Sequence, residues 1–182
     1  MGGWLHRLRR PWVAVLLIVA VGILGGVLVY RSGGRIREQD RAAFLAWERL
    51  AQPAVERARE IHAGLPSLIE DARAAPGQLG PLLGELRMKV TRTRLTLQRA
   101  RTEVQTVRVE RVLEAIAAAY LEAIARDLQA VAALEKIAGD PEASRSTALA
   151  RAEQRHQTAS LRFREGDEAS EQLRARLRLV EN

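Results

Sequence analysis

Apolar positions fall along this chain in two regimes. From Trp12 to Tyr30 nineteen consecutive residues carry no charge and no strongly polar side chain. At about 1.5 Å of rise per residue, a helix of that length comes close to the roughly 30 Å hydrocarbon thickness of a bilayer. A single segment crosses only as a helix, because each backbone N–H and C=O must find its partner without water. Trp12 and Tyr30 place amphipathic rings at the two ends, flanked by Arg7, Arg9 and Arg10 on one side and by Arg31, Arg35 and Arg37 on the other. A cleaved signal peptide is the rival reading. The run is longer than the usual 7–15 residue core and no Ala-x-Ala follows it, so the sequence predicts a retained transmembrane helix over 12–30.

After Ser32-Gly33-Gly34 the apolar positions become periodic. Phe44, Trp47, Leu50, Ala54, Val55, Ala58, Ile61, Leu65, Leu68 and Ile69 recur at intervals that suit one helical face. Pro53 and Pro66 each remove a backbone donor, and Gly64-Leu65-Pro66-Ser67 is the expected break. Pro76-Gly77-Gln78-Leu79-Gly80-Pro81 is the clearest turn. Beyond it no Pro or Gly occurs between Gly84 and Gly139. Leu83, Val90, Leu97 and Val104 form one seam of a seven-residue repeat, and Leu86, Thr93, Ala100 and Val107 form the other. Ile116, Tyr120, Ile124, Leu128, Val131 and Leu134 continue the stripe. Residues 89–97 are Thr-rich enough to tempt a strand assignment, but the sustained period argues for helix. Gly139-Asp140-Pro141 then separates a last segment carrying Ala148, Leu149, Ala152, Ala159, Phe163, Leu173, Leu177 and Val180, with Gly166-Asp167 as a candidate interruption.

The expected fold is therefore all-α. It comprises a basic tail (1–11), one transmembrane helix (12–30), a flexible joint (31–35) and a helical arm (36–182). The arm's helices are expected over 36–75, 82–138 and 141–180, folded as an elongated antiparallel three-helix bundle, with a four-helix bundle as the alternative.

Composition changes this picture little. The chain has 182 residues, no cysteine, 4% aromatic residues and a formal charge of +7, which suits long helices and excludes disulfides and thiolate chemistry. The charge is unevenly spread. Residues 87–111 hold eight basic side chains against Glu103 and Glu110, while 112–143 hold six acids against Arg126 and Lys136. In a three-helix arm this predicts a patch far from the membrane, formed by Arg92, Arg94, Arg99 and Arg101 with Arg174 and Arg178. Such a patch suits an anionic partner, an envelope polymer or acidic protein, with nucleic acid expected only for a cytoplasmic arm and therefore disfavoured. The short unopposed basic tail favours an inside N-terminus and an extracytoplasmic arm in the cell (inner or plasma) membrane.

Candidate chemistry is sparse. His6, His62 and His156 are the only histidines. Glu60 stands two residues from His62, and Glu153 three from His156. One Glu-x-x-His falls short of a di-iron bundle, which needs two such helices and further carboxylates. No phosphate loop or nucleophile elbow is present. The expectation is no catalytic residue, no metal site and no cofactor. Gly22 and Gly26 form a G-x-x-x-G pair through which spans can dimerise.

Trp47 and the run Leu65-Pro66-Ser67-Leu68-Ile69-Glu70 resemble the LemA family of single-span helical-bundle proteins, with Ala119-Tyr120 and Leu128-Gln129 as fainter echoes. Ser67 stands where that family usually has Asn, and its later Tyr-Pro and Tyr-Asn pairs are missing. The resemblance implies an antiparallel bundle, a cytoplasmic arm and no established catalytic residues. The residues themselves point to a membrane-anchored, non-enzymatic interaction or scaffold module of the cell envelope, with the lipid bilayer and a protein partner or homodimer as partners. Two alternatives stand beside it: an extracytoplasmic sensory or ligand-binding bundle working through a partner, and a coiled-coil tether of the spanin or division-protein kind.

Overall fold

A computed structural model describes the backbone of residues 11–103, 110–139 and 145–177, and the side chains of 38–103, 111–139 and 145–177. The described residues form helices: α1 (Pro11–Ala74), a 3₁₀ turn (Pro76–Gln78), α2 (Gly80–Glu103), α3 (Glu110–Gly139) and α4 (Arg145–Arg176). The chain divides into two units, Met1–Asp40 and Arg41–Asn182.

In the first unit the described backbone is helical, including 31–35, where a flexible joint was expected. The side chains of the 12–30 run and of Gly22 and Gly26 lie outside the described residues. Among the described residues no helix is long and apolar enough to cross a membrane.

The second unit is a bundle of four helical segments. Arg87–Glu135 and Arg101–Glu114 pair α2 with α3 at sequence separations that shrink toward their junction, so the two run antiparallel. Between α1 and α4 the pairs Glu48–Arg174, Arg59–Asp167 and Arg73–Glu153 run in opposite order along the two helices, with the same meaning. The single helix expected over 82–138 is therefore two helices, separated between Glu103 and Glu110. No Pro or Gly marks the division. The sequence there is β-branched (Val104, Thr106, Val107, Val109), a weak helix former. Tertiary packing decides against continuity, because folding back lets each half of the apolar stripe cover the other.

Helix α1 also passes the expected break at Gly64–Ser67. Pro53 and Pro66 both lie on its exposed face, where water can take the carbonyls they leave without a donor. At its end, Ala72 and Arg73 carbonyls accept from the Arg145 guanidinium at the start of α4, which satisfies groups that a helix C-terminus leaves open. The Thr-rich stretch of α2 is helical. Thr91, Thr93 and Thr96 each donate their hydroxyl to the carbonyl four residues back, so buried Thr93 brings no unpaired group into the core.

Two core layers result. One joins Phe44, Trp47, Val55, Val90, Leu97, Ile116, Tyr120, Ile124 and Phe163. The other joins Leu65, Ile69, Leu79, Leu83, Val131, Leu134, Ile137 and Leu149. The seam positions Leu83, Val90, Thr93, Leu97 and Ala100 are all buried as their spacing predicts. Two positions shift: Leu50 is exposed and Ala51 faces inward, and Asp127, not Leu128, occupies the α3 seam.

Candidate functional site

Asp127 is the anomaly around which the site is built. It is 1% exposed, at a position where the α3 pattern of Ile124 and Val131 calls for an apolar side chain. Burial pushes its carboxyl above the ordinary carboxylate range, and His62 opposes that shift. His62, reaching across from α1, places Nδ1 at 3.0 and 3.1 Å from the two carboxylate oxygens. Its Nε2 lies 2.9 Å from Ser160 Oγ on α4. The ring of His156, one turn before Ser160, stacks on His62 with centroids 4.1 Å apart and planes inclined by 25°. The Phe163 ring also packs on His62, with centroids 5.0 Å apart and planes inclined by 54°. His156 Nδ1 is buried and has no hydrogen-bond partner. Its pKa is lowered by burial and by the neighbouring His62.

The order Ser160–His62–Asp127 is that of a serine hydrolase relay, but the surroundings do not serve acyl transfer. Ser160 stands in the interior of α4, where the neighbouring backbone N–H groups belong to the helix ladder and none is free for an oxyanion. Ser160 Oγ also lies 3.1 Å from the His156 carbonyl as donor, which directs its hydrogen away from His62.

A second polar assembly lies further along the bundle. Tyr120 donates its hydroxyl to Asp167 at 2.7 Å, and Arg59 pairs with the same carboxylate. Burial first, then Asp167, raises the Tyr120 phenol well above its ordinary range. Gly166 makes this possible: a Cβ there would meet the Tyr120 ring at 2.8 Å. What reads in the sequence as an interruption is uninterrupted helix with a flat place for a ring. Trp47, Glu48, Gln52, Arg59, Tyr120, Asp167 and Arg174 line an open groove of ≈ 360 Å³ here, and the buried Trp47 Nε1–H has no acceptor.

The expected arginine patch is only partly assembled. Because α2 runs the length of the bundle, Arg99 and Arg101 lie at the end occupied by Phe44 and Trp47, together with Arg174, and not at the opposite end beside the Pro76 turn. Arg101 pairs with Glu114 and Arg174 with Glu48. Arg92 lies toward the middle, in a groove with Arg57 and Glu60. Arg92, Arg94 and Arg99 are exposed, and Arg178 lies outside the described residues. His62 and His156, for which the sequence spacing offers no metal-ligand partner, are half-buried and in contact. Glu153, the neighbour considered for His156, pairs with Arg73. Sequence spacing misses the cluster because its members are 29 to 94 residues apart; the one local signal is a carboxylate on the apolar seam of α3.

No protein-family model, curated protein or solved structure matches this chain.

Proposed function

We propose that this protein is a membrane-anchored, non-enzymatic helical bundle that serves as an interaction module of the cell envelope. The anchor is the uncharged run 12–30. The observation that carries the interaction reading is a stripe on α2. Met88, Arg92, Leu95 and Arg99, at spacings of four, three and four, all face solvent, with Met88 66% and Leu95 52% exposed. Alternating apolar and guanidinium groups on one exposed face suit a partner that offers both apolar and anionic chemistry. Arg94 and Arg101 lie more than roughly 100° round the helix from the centre of the stripe, so of the arginines expected to form a patch only Arg92 and Arg99 belong to it.

The anchor and the side on which the bundle lies are tested together. The protein stays in the membrane pellet through an alkaline carbonate wash; release into the supernatant overturns the anchor. A cysteine at Ser144, the chain having no other thiol, labels with an impermeant maleimide in intact cells if the bundle is extracytoplasmic. Charge reversal at Arg92 and Arg99 then weakens retention on anionic envelope polymer, in a salt-dependent way. Labelling only after lysis removes that polymer as partner and favours the cytoplasmic arm that the LemA resemblance implies.

A second reading, a small-ligand sensor, is favoured by the Trp47 groove. A ligand carbonyl or carboxylate there would accept from Trp47 Nε1 and lie within reach of Arg59 and Arg174. A specific, saturable thermal shift of the full chain with a small carboxylate, abolished by Trp47→Phe, would support it.

A further inference from the structure

The His62–Asp127–His156 cluster brings two imidazoles and a carboxylate together inside the bundle. Ser160 has one hydroxyl hydrogen, and in the geometry that sends it to the His156 carbonyl, Ser160 Oγ accepts from His62 Nε2–H. That contact fixes the His62 tautomer and leaves Nδ1 with a lone pair. The lone pair faces both oxygens of Asp127 at 3.0 and 3.1 Å, acceptor against acceptor, in a setting where Asp127 is nearly inaccessible to water. Such an opposition is relieved by a proton or by a metal ion between the groups. A second imidazole nitrogen, His156 Nδ1, is buried beside it without a partner. One ligand atom from each of the three residues lies within 4.8 Å of the other two.

We propose that this cluster is a binding site for one divalent transition ion of the zinc class, held by His62 Nδ1, Asp127 and His156. Two imidazoles and one carboxylate are a borderline ligand set, which suits zinc, cobalt or nickel and disfavours calcium and magnesium with their demand for oxygen. The existing 3.0 Å separation of His62 Nδ1 and Asp127 is already close to the ~3.3 Å between ligand atoms of a tetrahedral ion with bonds of about 2.05 Å. His156 has further to come. Its stacked ring must turn so that its nitrogen points inward, and its partial exposure gives the ring room to do so. Ser160 supplies the outer-shell contact that metal-ligating imidazoles usually make through their other nitrogen. The three helices that carry the ligands, α1, α3 and α4, would then be cross-linked at mid-bundle.

The experiment uses the full chain in detergent micelles, with any histidine tag removed and the protein stripped by chelator. It is titrated with Co²⁺, followed by visible absorption, and then by competition with Zn²⁺. One ion per chain is expected, with ligand-field bands displaced by zinc and a thermal midpoint that rises with ion concentration. His156→Gln and Asp127→Asn weaken binding at least about tenfold, while His6→Gln leaves it unchanged. Circular dichroism checks that each variant is folded. If Asp127→Asn does not fold, His156→Gln, at a half-exposed position, decides. No saturable binding overturns the proposal and leaves a proton as the cation of the cluster. One-to-one binding that His156→Gln leaves unchanged overturns it as well, by placing the ion elsewhere.

Discussion

The two layers of the bundle core are built by different rules. The layer around Leu65, Leu83, Val131, Leu134 and Ile137 is aliphatic and, among the described residues, holds no buried ionisable group. The layer around Phe44, Trp47, Tyr120 and Phe163 is aromatic, rests against the Asp127–His62–His156 cluster, and depends on a glycine to seat one ring. The first maximises burial for its size. The second gives up packing uniformity for polar groups that must find specific partners across helices. Stability should therefore reside in the first layer and discrimination in the second.

The largest effect that can break this contrast is a cavity in the aliphatic layer. Leu134 is fully buried, and Leu134→Ala should cost about 2–5 kcal/mol, read as a drop in the denaturant midpoint of unfolding. A cost under about 1 kcal/mol would show that this layer collapses around the loss and is not the closely packed one.

The aliphatic layer is also the legible one. Leu65 and Ile69 on α1, Leu83 on α2, and Val131 and Leu134 on α3 are readable from period alone, because burying an apolar stripe is a local demand on each helix. The 104–109 division was not readable. A heptad pattern continues in register whether the helix runs on or folds back, and only the gain from covering one half with the other distinguishes them. The polar cluster was illegible for a different reason. His62, Asp127 and His156 meet only after α1, α3 and α4 have packed, so no spacing within a helix encodes the contact. Gly166 misled in the opposite direction: glycine reads as a breaker, whereas here it serves a partner on α3 while the helix continues.

That glycine provides the next test. In an exposed helix interior Gly→Ala gains up to about 1 kcal/mol, and Gly64→Ala, with nothing near the added methyl, should be stabilising by about 0.5–1 kcal/mol. At Gly166 the same change drives a methyl into a buried, rigid ring, and overpacking of about 1–3 kcal/mol wins over propensity. Gly166→Ala should therefore destabilise, and in a Tyr120→Ala background its sign should reverse. Equal effects in both backgrounds would mean that Tyr120 does not rest on Gly166.

The smallest effect separates the layers by titration. Folding raises the Tyr120 phenol above its unfolded value of 10.0, through burial first and then through its hydrogen bond to Asp167, whose charge Arg59 partly offsets. The folded state thus holds this proton more tightly than the unfolded chain does. The resulting stability is fully present below pH 10.0 and is lost as pH rises from there toward the higher folded pKa. Tyr120→Phe keeps the ring on Gly166 and removes the proton, so the variant should lack this alkaline loss while still showing whatever the exposed charges contribute. The phenolate absorbance of the wild type should show one group ionising only as the bundle unfolds. Leu134→Ala, in the layer without a titrating group, should shift the whole stability curve downward and leave its alkaline slope unchanged. A Tyr120→Phe curve parallel to the wild type above pH 10 would place the phenol in water and remove the polar distinction between the two layers at this position.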